Sequence, residues 1–146
     1  MKILNLDTTI LTDFYCKEIR SILEFGVAVW HSGLSVKNSQ QLETIQKVCV
    51  NIILKELPCK ETYEVKCTLL NLEPLHYRRL DLCKRFIQKA SLDPQHEDLF
   101  SKTTMNVKTR QSQLNYREFY CRTNRFYNSP LCYLTRLLNN FPVKKR

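Results

Sequence analysis

Glycine is scarce in this chain, which has only Gly26 and Gly33 among its 146 residues. Folds built from many strands, such as sandwiches and barrels, need a turn after nearly every strand, so this scarcity argues against them. Apolar residues make up 43% of the sequence, enough to bury a core, and the length suits one compact domain. The sequence therefore predicts an all-α protein with a single core.

The motifs that usually carry chemistry are missing too. The chain has no glycine-rich phosphate loop, no H-E-x-x-H and no G-x-S-x-G. Its seven cysteines include no C-x-x-C pair, follow no signal-peptide pattern, and stand at no metal-ligand spacing from the three histidines. We therefore expect reduced thiols in an intracellular protein, with no catalytic residue, no metal site, no cofactor and no small-molecule substrate.

Long apolar runs are absent as well. The best candidate, Ile19–Trp30, is interrupted by Arg20 and Glu24 and falls short of the roughly 18 apolar residues of a membrane span. We therefore expect a soluble protein without a membrane partner. The closing run Lys144–Arg146 is too short to establish nuclear import, and a solvated basic terminus is the preferred explanation for it.

Acidic residues almost disappear after residue 100. Residues 101–146 hold ten Lys/Arg and only Glu118, whereas the first hundred residues hold 13 of each sign. A basic segment favours contact with phosphates, which predicts a nucleic-acid partner; a basic tail with no dedicated partner is the alternative. The candidate phosphate-binding residues are Lys102, Lys108, Arg110, Arg117, Arg122, Arg125 and Arg136.

Aromatic residues are interleaved with these cations. Four of them are candidates for stacking on exposed bases: Tyr116, Tyr120, Phe126 and Tyr127. The same side chains would equally serve to fix an extended segment onto the helices. The pattern leaves both interpretations open.

Four main helices are predicted, because apolar residues recur every three or four positions. The first begins near Leu11, with Thr12 or Asp13 as its cap, and ends at Trp30. Gly26 is expected to lie on its apolar face and to let another backbone approach closely. The predicted stripe consists of Leu11, Tyr15, Ile19, Ile22, Gly26 and Val29.

The second helix is expected to start near Asn38 or Ser39 and to run to about Lys55. Its start and end are indicated by capping residues and by the approach of Pro58. The predicted stripe consists of Leu42, Ile45, Cys49, Ile52 and Ile53.

The third helix, Tyr63–Leu70, has Thr62 as its predicted cap and Asn71 as a left-handed closing residue. The fourth, about Leu75–Ser91, follows Pro74. Its predicted stripe consists of Leu80, Cys83, Ile87 and Ala90.

Helical periodicity fades beyond residue 100. Ser101–Asn128 is predicted to be loop or extended chain, followed by a short last helix over Pro130–Leu138 with Ser129 as its cap. We therefore expect a helical domain over residues 1–100 and a basic arm over residues 101–146, packed together as a single domain.

Five blocks stand in order along the chain: IRSILEFGVAVWHSGL (19–34), QLETIQKVCVNII (41–53), LLNLEPLHYRRLDLCKRFIQKA (69–90), DPQHEDLF (93–100) and RTNRFYNSPLCYLTRLLN (122–139). Together they resemble the carboxy-terminal part of the reverse transcriptases of non-LTR, LINE-like retrotransposons. The resemblance extends over about residues 4–138. It implies a helical thumb with downstream elements that contact template and primer.

The catalytic part of that family has no counterpart in this sequence. Polymerisation needs metal ions held by clustered carboxylates, which in this family include an adjacent aspartate pair, and the chain contains no Asp-Asp. The resemblance therefore implies a fragment of an RNA-directed DNA polymerase that is not an enzyme by itself. It would contact an RNA–DNA hybrid or DNA backbone without sequence preference, in the nucleus rather than the cytoplasm.

Two other functional hypotheses remain open from the sequence. The chain is alternatively a helical protein-interaction or structural module that self-associates through an apolar face near Trp30 or along the edge formed by Ile52 and Ile53. It is otherwise a decayed retroelement copy without a selected function.

Overall fold

The computed structural model describes residues 7–55, 61–96, 98–100, 102 and 116–141. Within these ranges every regular element is a helix, and an isolated antiparallel bridge joins Lys102 to Tyr116. The predicted all-α fold class is confirmed. In chain order the helices are α1 (Thr8–Phe14), α2 (Arg20–Glu24), α3 (Val27–Trp30), α4 (Val36–Ile53), α5 (Tyr63–Leu69), α6 (Leu75–Ala90), α7 (Asn124–Tyr127) and α8 (Pro130–Asn140). A π-helical turn occupies Tyr15–Ile19, and 3-10 turns occupy His31–Gly33 and Pro94–His96.

The chain divides into two compact units, and each unit is assembled from separate stretches of sequence. Unit one contains Met1–Phe25 and Ser35–Arg78, and unit two contains Gly26–Leu34 and Arg79–Arg146. The division falls inside α6, and residues 79–100 share a unit with the basic tail.

Each unit has its own buried cluster, instead of the single core that the length suggested. The unit-one cluster consists of Tyr15, Val50, Ile53, Leu54, Cys67 and Leu72. The unit-two cluster consists of Val27, Cys83, Ile87, Ala90, Phe100, Leu134, Leu137 and Leu138.

The first helix begins earlier than its sequence pattern indicated. Asp7 is the N-cap, and its side chain accepts a hydrogen bond from the Thr9 amide. The prediction of Thr12 or Asp13 as cap is wrong, because both lie inside the helix. There the Thr12 hydroxyl donates to the Thr8 carbonyl at 2.7 Å.

The π-helical turn explains which apolar residues of this region point inward. Leu11, Tyr15 and Ile19 are each four positions apart, whereas one turn of an α-helix takes about 3.6 residues. The π-helical turn is wider than an α-helical turn, so it keeps these three side chains on the side of the helix that faces the unit-one cluster. Ile22, predicted to continue the stripe, is 76% exposed, and Val29 is also exposed. That part of the prediction is wrong. The π-helical turn precedes Ile22 and shifts the register of the side chains, and α2 ends at Glu24, so Val29 belongs to the separate helix α3.

Gly26 interrupts the helix and does not permit a close approach. It has a φ of 62°, and a Cβ atom built on it would meet no atom within 4 Å. The predicted role of Gly26 is therefore wrong. Glycine is favoured here because side-chain-bearing residues rarely adopt the left-handed conformation.

We expect Gly26→Ala to lower the free energy of unfolding by about 1–2 kcal/mol, measured by urea denaturation. Gly33→Ala is the matched control, because a Cβ atom there also meets nothing within 4 Å and Gly33 does not have the left-handed φ. It should leave stability unchanged or raise it by less than about 1 kcal/mol. Equal effects at the two positions would contradict the backbone explanation.

Helix α4 starts at Val36, because the Ser35 hydroxyl accepts a hydrogen bond from the Asn38 amide at 3.1 Å and caps it. The prediction of Asn38 or Ser39 was late by about one turn. The buried residues of α4 are Gln46, Val50 and Ile53. Of the predicted stripe, Ile45 and Ile52 are exposed, Leu42 and Cys49 are half-buried, and only Ile53 is buried.

Helices α5, α6 and α8 agree closely with their sequence patterns. The prediction of loop or extended chain over Ser101–Asn128 is wrong at Asn124–Tyr127, which forms α7. Helices α5, α6 and α8 start at Tyr63, Leu75 and Pro130 as predicted, and Asn71 has the expected left-handed φ, at 51°. Thr62 and Ser129 occupy the N-cap positions of α5 and α8, but neither side chain makes a capping hydrogen bond.

Unit one also buries polar groups. The Tyr15 hydroxyl donates to Gln46 Oε1 at 2.7 Å, and Gln46 Nε2 donates to the Glu73 carbonyl at 2.9 Å. The Gln46 side chain is completely buried, so both ends of its amide are satisfied by protein groups. Burial raises the pKa of Tyr15 well above its usual range, so its hydroxyl remains a donor at every physiological pH.

The carboxylate of Glu43 accepts hydrogen bonds from the first amides of α6. Its Oε1 accepts from the Tyr63 hydroxyl at 2.6 Å and from the Leu75 amide at 3.1 Å, and its Oε2 accepts from the His76 amide at 3.2 Å. An acidic side chain is favourable there because the first amides of a helix lack partners and carry partial positive charge.

Among the helices of the described ranges, none combines the length and the hydropathy that crossing a bilayer requires.

Candidate nucleic-acid interface

The candidate interface lies in residues 116–127, which we call the aromatic-basic segment. Its beginning is held by Asn139 of α8, whose side-chain amide bonds both backbone groups of Tyr116. The Tyr116 amide donates to Asn139 Oδ1 at 3.0 Å, and Asn139 Nδ2 donates to the Tyr116 carbonyl at 3.1 Å. The Tyr116 ring packs against the unit-two cluster. Of the two roles open to Tyr116, the structure therefore places it as an anchor for the segment.

Local sequence explains how the segment continues into α7 and α8. The Thr123 hydroxyl accepts from the Phe126 amide at 3.2 Å and caps α7. Pro130 is the first residue of α8. An amide hydrogen at this position would have no partner within the helix, so proline loses no hydrogen bond there. The chain thus turns twice within a few residues, and the segment stays next to α8.

Three arginines of the segment are exposed: Arg117, Arg122 and Arg125. The ion pairs found among the described residues involve other side chains. Glu118, the one acidic residue of the tail, accepts a hydrogen bond from Asn139 at 3.2 Å. The guanidinium groups of the segment are therefore available to an external anion.

The other predicted phosphate-binding residues differ in their placement. Lys102 is exposed, and its backbone forms the bridge with Tyr116. Arg136 lies in α8 and places its guanidinium 3.6 Å from the centre of the Tyr127 ring, so part of its surface is already covered. Lys108 and Arg110 lie outside the described residues.

The remaining aromatic side chains of the segment are all exposed. Phe119 and Phe126 meet edge to face with their ring centres 6.5 Å apart, and Tyr127 lies beneath Arg136. Tyr120 is 85% exposed and has the most accessible ring of the segment. This arrangement suits stacking on an unpaired base, because a flat apolar ring stands next to cationic groups.

Two further residues of unit two, Phe119 and Lys84, were not predicted from the sequence. Phe119 was detectable, since it lies between Arg117 and Tyr120 in the same interleaved pattern. Lys84 was not, because it comes from α6 and its Nζ lies 4.0 Å from the centre of the Phe141 ring. Only the fold brings that lysine next to the end of α8.

The geometry gives no sign of a metal centre or of a general base in the described ranges. No three His, Cys, Asp or Glu side chains come together there as metal ligands would. Burial, and secondarily the charge of Arg79, lower the pKa of His31, and its ring meets Tyr133 edge-on at 5.6 Å. We therefore interpret His31 as a neutral side chain that packs against Tyr133.

The surface presents three exposed arginines and at least one exposed aromatic ring, groups of the kind that contact phosphates and stack on bases. No protein-family model, no curated protein and no solved structure matches this chain.

Proposed function

We propose that this chain is a nucleic-acid-binding segment of a retrotransposon-type RNA-directed DNA polymerase, without the catalytic palm. It contacts the backbone of an RNA–DNA hybrid or of DNA and has little sequence preference. The observation that carries the proposal is the exposure of Arg117, Arg122 and Arg125 beside exposed aromatic rings in a segment of twelve residues. The resemblance of the five sequence blocks supports the same assignment.

The arginines and the aromatic rings have different tasks in this proposal. The guanidinium groups bind phosphate oxygens, which positions the nucleic acid but reads no sequence. Tyr120 stacks on an unpaired base, while the pairs Phe119–Phe126 and Tyr127–Arg136 hold the surface together. Binding by these groups is expected to be strongest where a single-stranded end adjoins a duplex.

The proposal predicts a large effect of removing the three exposed arginines together. For the variant Arg117→Gln, Arg122→Gln, Arg125→Gln we expect affinity to fall by about 10–100-fold at low salt, because each arginine neutralises one phosphate. The dependence of log affinity on log salt should become shallower by about 2–3 units. Fluorescence anisotropy with a labelled RNA–DNA hybrid carrying a single-stranded end measures both quantities.

A charge-matched control separates a local surface from general attraction. The variant Lys37→Gln, Lys55→Gln, Lys89→Gln removes three exposed positive charges outside the aromatic-basic segment. Its net charge is therefore the same as that of the triple arginine variant. It should retain affinity within about threefold, because these lysines are not part of the proposed contact surface. The proposal is wrong if both variants lose affinity equally, or if the wild-type protein binds with no dependence on salt.

The alternative of a protein-interaction module has one observation in its favour. Ile45, Val48 and Ile52 of α4 are exposed at positions that share a side of the helix. The predicted edge was partly wrong, because Ile53 is buried, and Trp30 packs against the unit-two cluster. Sedimentation that depends on protein concentration, together with no binding to RNA or DNA, would favour this alternative.

A nuclear location belongs to the same proposal, because a polymerase of this type acts on chromosomal DNA. Its support is the sequence resemblance alone.

A further inference from the structure

Two cysteines meet at the base of the aromatic-basic segment. Cys121 of the segment and Cys132 in α8 have their sulfur atoms 3.6 Å apart. Cys132 is only 3% exposed, and Cys121 is half-buried. The other described cysteines are Cys16, Cys49 and Cys67 in unit one and Cys83 in the unit-two cluster.

We propose that Cys121 and Cys132 are a reversible dithiol–disulfide pair that fastens the aromatic-basic segment to α8. The proposal rests on the contact between the two sulfur atoms and is independent of what the segment binds. It assigns a modification site to a chain whose cysteines were expected to be reduced thiols.

The geometry is favourable for bond formation. A disulfide bond is about 2.05 Å long, so the two sulfur atoms have to approach by only about 1.5 Å. Cys121 Sγ also lies 3.3 Å from the Phe119 carbonyl, a hydrogen-bond distance for its thiol. The two sulfur atoms are therefore already in contact before any bond forms.

The oxidant is a low-molecular-weight disulfide, such as oxidised glutathione. The Cys121 thiolate attacks one of its sulfur atoms, forms a mixed disulfide and releases one thiolate. The Cys132 thiolate then attacks the Cys121 sulfur and releases the second thiolate. In sum, two protein thiols lose two protons and two electrons, and one small disulfide is reduced to two thiols.

The order of attack follows from exposure. Cys132 is almost completely buried, so a small disulfide reaches Cys121 first. Burial, and then the hydrogen bond to Cys132, raise the pKa of Cys121, while Arg136 acts in the opposite direction. A raised pKa means less thiolate at neutral pH, so oxidation should accelerate about tenfold per pH unit between pH 7 and 8.

The disulfide would restrict the part of the chain proposed to bind nucleic acid. It closes a short loop that contains Arg122, Arg125 and Tyr127, and it fixes one end of α7 relative to α8. Loop closure stabilises mainly by restricting the unfolded chain. We therefore expect the oxidised protein to melt at a temperature higher by roughly 5 °C or more.

Peptide mapping of the full chain tests the proposal directly. Trypsin separates Glu118–Arg122, which holds Cys121, from Phe126–Arg136, which holds Cys132. After incubation with oxidised glutathione, blocking of free thiols and digestion without reductant, mass spectrometry should find these two peptides linked. Reduced glutathione should separate them again.

Two variants and a control sharpen the test. Cys132→Ser should accumulate glutathione on Cys121, because the second attack is lost, and Cys121→Ser should leave Cys132 as a thiol. Cys49→Ser, in unit one, should leave the linked peptides unchanged. The proposal is overturned if the native wild-type protein gives no linked peptide, or if Cys121 links as often to other cysteines as to Cys132.

Discussion

Replacing Glu43 by alanine is expected to lower the free energy of unfolding by about 2–4 kcal/mol. The side chain is only 13% exposed and accepts three hydrogen bonds, from the Tyr63 hydroxyl and from the amides of Leu75 and His76. Alanine leaves these donors without an acceptor and removes a negative charge from the start of α6. Urea denaturation followed by circular dichroism measures the loss.

Two further variants identify the cause of that loss. Glu43→Gln keeps acceptor capacity without charge, so it should lose about half as much stability as Glu43→Ala. Glu18→Ala removes an exposed glutamate of the same unit and should change stability by less than about 0.5 kcal/mol. If Glu43→Ala were no worse than Glu18→Ala, the contacts of Glu43 would not stabilise α6.

In unit two the largest expected effect is that of Leu138→Ala, with a loss of about 3–5 kcal/mol. Leu138 is completely buried in the unit-two cluster, together with residues of α3, α6 and α8. Truncation removes apolar contacts and leaves a cavity that the surrounding helices fill only in part. The measurement is again the free energy of unfolding in urea.

Leu92→Ala is the matched control, because it is the same chemical change in the same unit at a side chain that is 69% exposed. It should lower stability by less than about 1 kcal/mol. A similar loss at both positions would mean that Leu138 does not lie in a tightly packed core.

The sequence predicted best those helices whose burial follows a simple apolar repeat. Cys83, Ile87 and Ala90 of α6 and Leu134 and Leu138 of α8 are all buried. In both helices the repeat is uninterrupted, and α8 has a proline that sets its start. Periodicity therefore identified most of the buried apolar residues of these two helices, although it did not indicate the buried Arg79 of α6 or the buried Thr135 of α8.

The errors arose where polar residues or an irregular backbone determine the packing. A pattern of apolar residues does not include Gln46, yet this side chain is completely buried. Its burial is possible because the Tyr15 hydroxyl and the Glu73 carbonyl form hydrogen bonds with its amide. The π-helical turn and the left-handed Gly26 each change the direction in which later side chains point. No periodicity calculated for a straight helix contains such changes.

The candidate interface was predictable in composition but not in arrangement. Charge asymmetry indicated Arg117, Arg122 and Arg125, all of which are exposed. The stacking of Arg136 on Tyr127 depends on the turn between α7 and α8, which no spacing rule supplies. The contact between Cys121 and Cys132 was equally impossible to predict, because the two cysteines stand eleven positions apart, a spacing that indicates no pairing.

The composition of unit two has a consequence for synthesis on the ribosome. Val27 and Ala28 are buried in this unit, and helix α3 packs against α8, which begins only at Pro130. A ribosome adds about 5–20 residues per second, so roughly 5–20 s pass between the synthesis of α3 and that of α8. During that interval the apolar stretch that ends in Trp30 lacks the part of its native cover that α8 supplies, and exposed apolar surface of this kind is what chaperones bind.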